Sequence, residues 1–284
     1  MYHHVKKLMY TVNVGTPDPW FGKMLLEQFG GANGELAAAM QYTVQGWNCV
    51  DDLERRDLLL DIGTEELSHL EIVGALARLH LAPLKTDREA ADADPLMTIA
   101  GGGGVNLYNS QGSAWTADYL KITGELDVDL RSNIAAEARA KIVYERLIDH
   151  TDDPGSIDTL QFLMTREITH LKAFSAALES LQKSPFSIGR LRPSPVIVDE
   201  YFNGSTGTGQ DGDQDVPGPW TKAHGLSLVE SDMTGGPGLS IDEIDGKLQG
   251  EDRGIQDDAP KAASSVAGKS IGKKTSKRKL DKAS

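Results

Sequence analysis

Glutamate and histidine recur in this chain in two similar groups. In each group a single glutamate is followed by a Glu-x-x-His motif, 31 residues later in the first group and 30 residues later in the second. The first group is Glu35 with Glu66 and His69, and the second is Glu137 with Glu167 and His170. Side chains three residues apart share one face of a helix, about 5–6 Å from each other. Together the groups offer four carboxylates and two imidazoles, enough ligands for two neighbouring metal ions.

The predicted burial of these carboxylates favours a metal site over isolated ion pairs. A single Glu-x-x-His motif is often only an exposed or salt-bridged pair, but here the four glutamates fall on apolar helical faces. Buried carboxylates without partners cost several kcal/mol each and repel one another, and two divalent cations would remove both problems. Carboxylate and imidazole ligands suit manganese, iron or zinc, and oxygen-rich sites favour the first two. Ferritin-like di-iron and di-manganese bundles share this ligand set, so spacing alone leaves the metal open.

Apolar residues recur at helical spacing around the candidate ligands. One helix is predicted over about residues 20–49, with an interruption near Gly30 and a restart for which Asn33 is the predicted N-cap. A second helix is predicted over about residues 51–80, and a third and a fourth surround Glu137 and Glu167. The apolar positions of these last three helices are Leu59, Ile62, Val73 and Leu76, then Leu130, Ile134, Ala140 and Tyr144, then Leu160, Leu163, Phe174 and Ala177.

A long connection, about residues 81–126, separates the second and third predicted helices. Its glycine run at 101–104 lacks the flanking strand and the Lys-Ser/Thr of a phosphate-binding loop, so we interpret it as a loop. Asp153 and Pro154 mark a short link that makes the third and fourth helices antiparallel neighbours. One long crossover combined with short links predicts an all-α fold, a ferritin-like four-helix bundle with an extended Pro/Gly-rich C-terminal segment.

The composition changes after about residue 183, where proline and glycine become frequent and argue against long helices. A short extended segment is predicted at 196–198. The later apolar side chains that a packed segment would bury are Trp220, Ile241, Ile244 and Leu248. We therefore predict a catalytic bundle domain over residues 1–185, an extended segment over 186–255 that wraps a neighbouring subunit, and a basic disordered tail over 256–284.

Overall composition is that of a soluble globular protein, with 39% hydrophobic and 25% charged residues. Cys49 is the only cysteine, which excludes an intrachain disulfide and fits a reducing compartment. The N-terminus lacks the apolar region of a signal peptide, and no apolar run approaches the roughly 20 residues that span a bilayer. We therefore expect a cytoplasmic protein with no membrane partner.

Charge is distributed unevenly along the chain. The whole chain carries −13 and residues 261–284 carry +7, which leaves −20 for the remaining residues. The basic tail is either a solvated disordered segment or a contact for nucleic acid or another anionic surface. Because the body is acidic, nucleic acid is not expected to be the main partner.

Four segments carry a resemblance that goes beyond ligand spacing. They are residues 26–31, 34–42, 64–73 and 164–168, and they closely resemble the manganese (non-haem) catalase family. The likeness runs from Met1 to about residue 250. It implies an enzyme that disproportionates hydrogen peroxide to water and dioxygen, with two manganese ions per subunit and no haem, assembled as a homohexamer.

The resemblance also implies residue roles. The manganese ligands would be Glu35, Glu66, His69, Glu137 and His170, with Glu66 bridging the two ions. Glu167 matches a glutamate that the family keeps beside the metals as an acid/base. Tyr42 matches a tyrosine that is hydrogen-bonded near the cluster, although a core tyrosine with a satisfied hydroxyl is an equal alternative from the residues alone. Some members carry arginine immediately before the third glutamate, where this chain has Ala136, so access to the site and the rate are expected to differ.

A calcium site is also implied by the resemblance, since members of the family bind calcium at a subunit junction. The matching positions are Asp57, Asp61, Asn203, Ser205 and Gly207. Hard oxygen ligands of this kind suit Ca²⁺. The alternative is a solvated pair of aspartates and a flexible loop.

Two other functional classes remain open. The first is a ferritin-like di-iron oxidase or peroxidase, which would take up iron and release no dioxygen from peroxide. The second is a non-enzymatic structural or storage relative, which would be inert to peroxide even when loaded with manganese.

Overall fold

The computed structural model describes residues 5–181, 200–203 and 227–230, and the chain divides into two compact units, Met1–Arg192 and Pro193–Ser284. In the first unit the described residues form eight α-helices and one 3-10 helix. The helices are α1 (Pro19–Gly30), α2 (Glu35–Asn48), α3 (Leu53–Leu81), α4 (Pro83–Thr86), α5 (Arg88–Ala93), α6 (Pro95–Gly101), α7 (Leu126–Ile148) and α8 (Pro154–Ser180), with the 3-10 helix at Ala117–Tyr119.

Four of these helices, α2, α3, α7 and α8, form the bundle. Helix α7 packs along α8, α2 packs along α3, and the shorter α1 packs against α3. Three aspartates begin the helices that support this arrangement, since Asp18, Asp52 and Asp153 each accept a hydrogen bond from a backbone N–H of the first turn of α1, α3 and α8. The predicted four-helix bundle is confirmed.

The restart of the helix after Gly30 differs from the prediction. Gly34, not Asn33, is the N-cap of α2, and it makes no side-chain capping bond. The prediction of Asn33 as the cap is wrong because its side chain is engaged elsewhere: Asn33 Oδ1 accepts a hydrogen bond of 2.9 Å from Arg139 Nε on α7. This contact ties the entry of α2 to α7.

The long connection between α3 and α7 contains three short α-helices and the 3-10 helix, not only loop. Pro83 and Pro95 each stand at the first position of a short helix, where the missing N–H of proline has no partner to lose. Gly102 and Gly103 follow α6 with φ values of 61° and 64°, a backbone conformation that favours glycine. The glycine run is therefore a helix terminus followed by a turn.

The end of this crossover is held to the bundle by buried amide side chains. Gln41 Oε1 accepts a hydrogen bond from the backbone N–H of Lys121, and Gln45 Nε2 donates to the Lys121 carbonyl, at 2.7 and 2.8 Å. Asn133 on α7 joins the two glutamines, accepting from Gln41 and donating to Gln45, at 2.9 and 2.7 Å. This amide clamp fixes α2 against α7, the helices that carry Glu35 and Glu137.

Two apolar clusters fill the bundle at different levels. The larger cluster includes Val73, Leu76 and Leu163, and the smaller one includes Leu59 and Phe174. Along α3 and α8, the Glu-x-x-His motifs lie in sequence between residues of the two clusters. The candidate ligands therefore occupy a layer with apolar packing on both sides.

In the second unit, strands β1 (Glu200–Asn203) and β2 (Ser227–Glu230) pair in parallel, with Glu200 opposite Ser227. The sequence did not predict this pairing. The extended segment predicted at 196–198 lies outside the described residues, as do the whole predicted tail and most of the predicted wrapping segment, so the three-part division of the chain stays a prediction. Within the described residues, no helix is long and apolar enough to cross a membrane.

We expect Asn133→Ala to destabilise the bundle. The change removes two hydrogen bonds from the amide clamp and leaves Gln41 and Gln45 each with an unsatisfied buried group, at a cost of about 2–4 kcal/mol in the free energy of unfolding. Urea unfolding at fixed protein concentration measures the loss. Ser132→Ala, at the neighbouring half-buried position, is the control and should stay within about 0.5 kcal/mol; equal midpoints for the two variants would contradict the clamp.

Candidate metal centre

The six predicted metal-site residues converge in the interior of the bundle. Each of the four bundle helices contributes: Glu35 from α2, Glu66 and His69 from α3, Glu137 from α7, and Glu167 and His170 from α8. All six are at most 2% exposed. Acidic side chains are almost never buried to this extent without a partner.

Glu66 lies at the centre of the group. Its two carboxylate oxygens are divided between the imidazoles, with Oε2 at 2.8 Å from Nδ1 of His69 and Oε1 at 2.9 Å from Nδ1 of His170. The imidazole rings lie nearly parallel, with their centroids 5.4 Å apart. One carboxylate thus faces both histidines, which is the position that a bridging ligand requires.

The other two glutamates of the predicted ligand set lie on opposite sides of this centre. Glu35 Oε2 is 3.6 Å from Nδ1 of His69, and Glu137 Oε2 is 3.8 Å from Nδ1 of His170. The group therefore divides into two half-sites, Glu35 with His69 and Glu137 with His170, which share Glu66. The sequence repeat is reproduced in space.

Glu167 is close to the same centre. Its Oε1 lies 3.5 Å from Nδ1 of His69, and ligand atoms of Glu66, His69, Glu167 and His170 lie within 4.8 Å of one another. Both Glu167 oxygens are buried and make no hydrogen bond. By position alone Glu167 fits either a metal ligand or an acid/base, so the role implied by the family resemblance stays a prediction.

The buried carboxylates of the group favour bound cations. Burial raises the pKa of the Glu66, Glu137 and Glu167 carboxyls well above their ordinary value, and the neighbouring carboxylates raise it further. One oxygen each of Glu35 and Glu137 also lacks a hydrogen-bond partner. Carboxylate oxygens that are buried close together without hydrogen-bond partners suit divalent cations. Bound cations would interact with these oxygens and remove the repulsion between the carboxylates. The residues fit a two-metal centre.

Two tyrosines each donate a hydrogen bond to the glutamate of the other half-site. The Tyr42 hydroxyl donates to Glu137 Oε1, and the Tyr144 hydroxyl donates to Glu35 Oε1. Both tyrosines are fully buried, and each follows the glutamate of its own helix by seven residues but donates to the glutamate of the other half. Tyr144 was predicted only as a core residue. The repeated spacing, Glu35 to Tyr42 and Glu137 to Tyr144, is the sequence signal that would have identified it.

A small cavity reaches the centre between α2 and α7. Its volume is about 20 Å³, enough for one water-sized molecule. Tyr42 and Glu137 line its inner side, and Ala136 and Arg139 belong to its wall. The residue before the third glutamate therefore lines a cavity that Glu137 also lines.

The predicted calcium residues fall in both units. Asp57 and Asp61 are exposed and one turn apart on α3, and Asp57 accepts hydrogen bonds from Arg56. Asn203 is the last residue of β1. Ser205 and Gly207 lie outside the described residues, so the calcium site stays a prediction.

Comparison with known proteins gives a consistent result. A family model described as manganese containing catalase matches residues 1–260. The chain is 42% identical over 185 residues to a probable manganese catalase of Clostridium acetobutylicum, covering 64% of this chain and 81% of that protein. It is 36% identical over 195 residues to a manganese catalase of Bacillus subtilis, covering 64% and 71% respectively.

A solved structure shares the fold as well. The crystal structure of KatB, a manganese catalase from Anabaena PCC7120, matches with a TM-score of 0.72 and 40% identity, covering 81% of this chain and 99% of that chain. This match confirms the predicted ferritin-like fold class. With the matched family model spanning most of its length, the chain belongs to the manganese-containing catalase family.

Proposed function

We propose that this protein disproportionates hydrogen peroxide to water and dioxygen at two manganese ions per subunit. The observation that carries the proposal is the division of the Glu66 carboxylate between two histidines in a buried, carboxylate-rich layer. Membership of the manganese catalase family supports the same reaction. When bound, the metals would supply Lewis acidity and exchange the two electrons that each half-reaction requires.

The ligands of the proposed centre form a symmetric set. Glu35 and His69 would hold one ion, Glu137 and His170 would hold the other, and Glu66 would bridge them. The three carboxylates balance most of the charge of two divalent ions, which offsets the cost of burying them. Tyr42 and Tyr144 would orient the two non-bridging carboxylates by donating to the oxygen of each that is not needed for the metal.

Glu167 is the group that we assign to proton transfer. Its oxygens make no hydrogen bond, so one of them is free to accept a proton from an incoming peroxide and return it to the leaving oxygen. Burial and the neighbouring carboxylates raise the pKa of Glu167 above the ordinary value of a glutamate. The narrow cavity beside Tyr42 and Glu137 would restrict access from that side to very small molecules.

The proposal includes four finer features. They are the homohexamer, the calcium site at Asp57, Asp61, Asn203, Ser205 and Gly207, the absence of haem, and a cytoplasmic location. Each follows from the family resemblance or from composition.

One experiment tests the proposed reaction directly. Protein produced with manganese and iron both available should contain about two manganese ions per subunit and should evolve dioxygen from peroxide without added reductant. A protein that takes up iron and consumes peroxide only with a reductant would be a di-iron peroxidase. A manganese-loaded protein that is inert to peroxide would be a structural relative.

We expect Glu167→Gln to retain manganese and to lose most of its turnover. General acid–base groups contribute about 10²–10⁴-fold, so oxygen evolution should fall by at least about 100-fold while metal content is unchanged. Glu179→Gln makes the same change on the exposed face of α8 and should behave as the unmodified protein. Unchanged oxygen release would refute the acid/base role, and loss of manganese would identify Glu167 as a ligand.

Removing either tyrosine hydroxyl should weaken the centre. In Tyr42→Phe and Tyr144→Phe, one non-bridging carboxylate loses its hydrogen bond, and we expect manganese affinity or activity to fall by about 10–100-fold in both variants. Tyr10→Phe is the matched control, because it also removes a tyrosine–carboxylate hydrogen bond, but this bond to Asp158 is exposed to solvent and away from the ligands. A defect in Tyr42→Phe alone would show that the two tyrosine–glutamate hydrogen bonds are not equivalent.

A further inference from the structure

The outer edges of the two histidines lack aligned hydrogen-bond partners. Nδ1 of His69 and of His170 faces Glu66 in the centre, so Nε2 of each ring points away from it. Both Nε2 atoms are buried, and neither makes an aligned hydrogen bond. An imidazole that binds a metal through one nitrogen normally donates the N–H of the other to a carboxylate or carbonyl.

A single carboxylate outside the proposed ligand set lies beside both of these nitrogens. Glu65 Oε1 is 3.4 Å from Nε2 of His69, and Glu65 Oε2 is 3.4 Å from Nε2 of His170. Its two oxygens are thus divided between the outer nitrogens, as those of Glu66 are divided between the inner ones. The histidine pair lies between two adjacent glutamates of α3.

Arg166 holds Glu65 from the opposite helix. Its Nε donates to Glu65 Oε1 at 2.6 Å. Glu65 and Arg166 are half-buried, with 21% and 31% of their side chains exposed. The guanidinium of Arg166 compensates the negative charge of the Glu65 carboxylate. Glu65 is therefore an anion with two acceptor oxygens.

The two residues occupy equivalent places in the sequence repeat. Glu65 immediately precedes the first Glu-x-x-His motif, and Arg166 immediately precedes the second. Two acidic residues at these places would repel each other across α3 and α8, and two basic residues would offer no acceptor to the histidines. With one acidic and one basic residue, the arginine holds the carboxylate in place beside the two imidazole rings.

We propose that Glu65 is a positioning residue that accepts the Nε2–H of both His69 and His170 and so keeps the Nδ1 lone pair of each ring directed at the manganese centre. A neutral imidazole carries one N–H, so fixing it on Nε2 leaves Nδ1 free to act as a ligand. The inference rests on the proposed manganese site. It adds an outer residue, shared by both half-sites, that touches no metal.

The decisive variants are Glu65→Gln and Arg166→Gln. A glutamine at position 65 offers one acceptor oxygen where two are needed, and its amide N–H₂ would face a ring N–H. Arg166→Gln breaks the same ion pair but leaves the Glu65 carboxylate in place. Glu54→Gln, exposed in the first turn of α3, is the control for loss of one negative charge.

Two readouts separate positioning from simple structural support. Manganese affinity, measured by competition with a chelator, should be about 10–100-fold weaker in Glu65→Gln and much less affected in Arg166→Gln. The thermal unfolding temperature of the metal-free protein should fall similarly in both, because both lose the ion pair. Equal manganese affinities for the two variants would overturn the inference, since the ion pair alone would then account for the effect.

The same measurement distinguishes this inference from the proposed function. If the unmodified protein binds manganese tightly and Glu65→Gln binds it equally well, only the role of Glu65 fails. If the unmodified protein does not bind manganese, both fail together. Recovery of affinity in Glu65→Asp, which keeps two acceptor oxygens, would further support the carboxylate as the acceptor.

Discussion

The desolvation of four carboxylates in one apolar layer is the constraint on which the rest of the structure depends. Without compensation these groups would protonate or separate, because buried like charges repel and lose their hydration. The fold keeps them together by apolar packing above and below the layer. A pair of divalent cations would make the arrangement favourable, and the proposed chemistry would use the same cations.

Whether a residue of this centre can be predicted from the sequence depends on how far along the chain its contact partners lie. The Glu-x-x-His pairs are local, since helical geometry places residues three apart on one face, and the five proposed ligands and Glu167 converge as expected. The role of Tyr144 was missed although its spacing from Glu137 repeats that of Tyr42 from Glu35, because the glutamate that it contacts, Glu35, is 109 positions away in the chain. Glu65 was missed for the same reason, because its proposed role depends on its ion pair with Arg166 on α8. Local spacing identifies ligands, whereas the residues that orient them are identified by tertiary contacts.

The errors within the bundle have the same origin. Asn33 has the side chain of a good N-cap, but a contact with Arg139 engages it instead. The crossover was predicted as a connection without helices, yet Pro83 and Pro95 begin short helices in it because proline is tolerated in the first turn. In each case the residue type restricts the local conformation correctly, and the surrounding structure selects among the conformations that it permits.

The amide clamp has a consequence for how the crossover can vary. Gln41 and Gln45 form hydrogen bonds with the backbone N–H and carbonyl of Lys121. The bundle therefore recognises the path of the chain at this point, and any residue with a free N–H satisfies it, with proline as the exception. The crossover can change in sequence and still return to the same place beside α2 and α7, so its surface can diverge while the geometry of the buried layer is preserved.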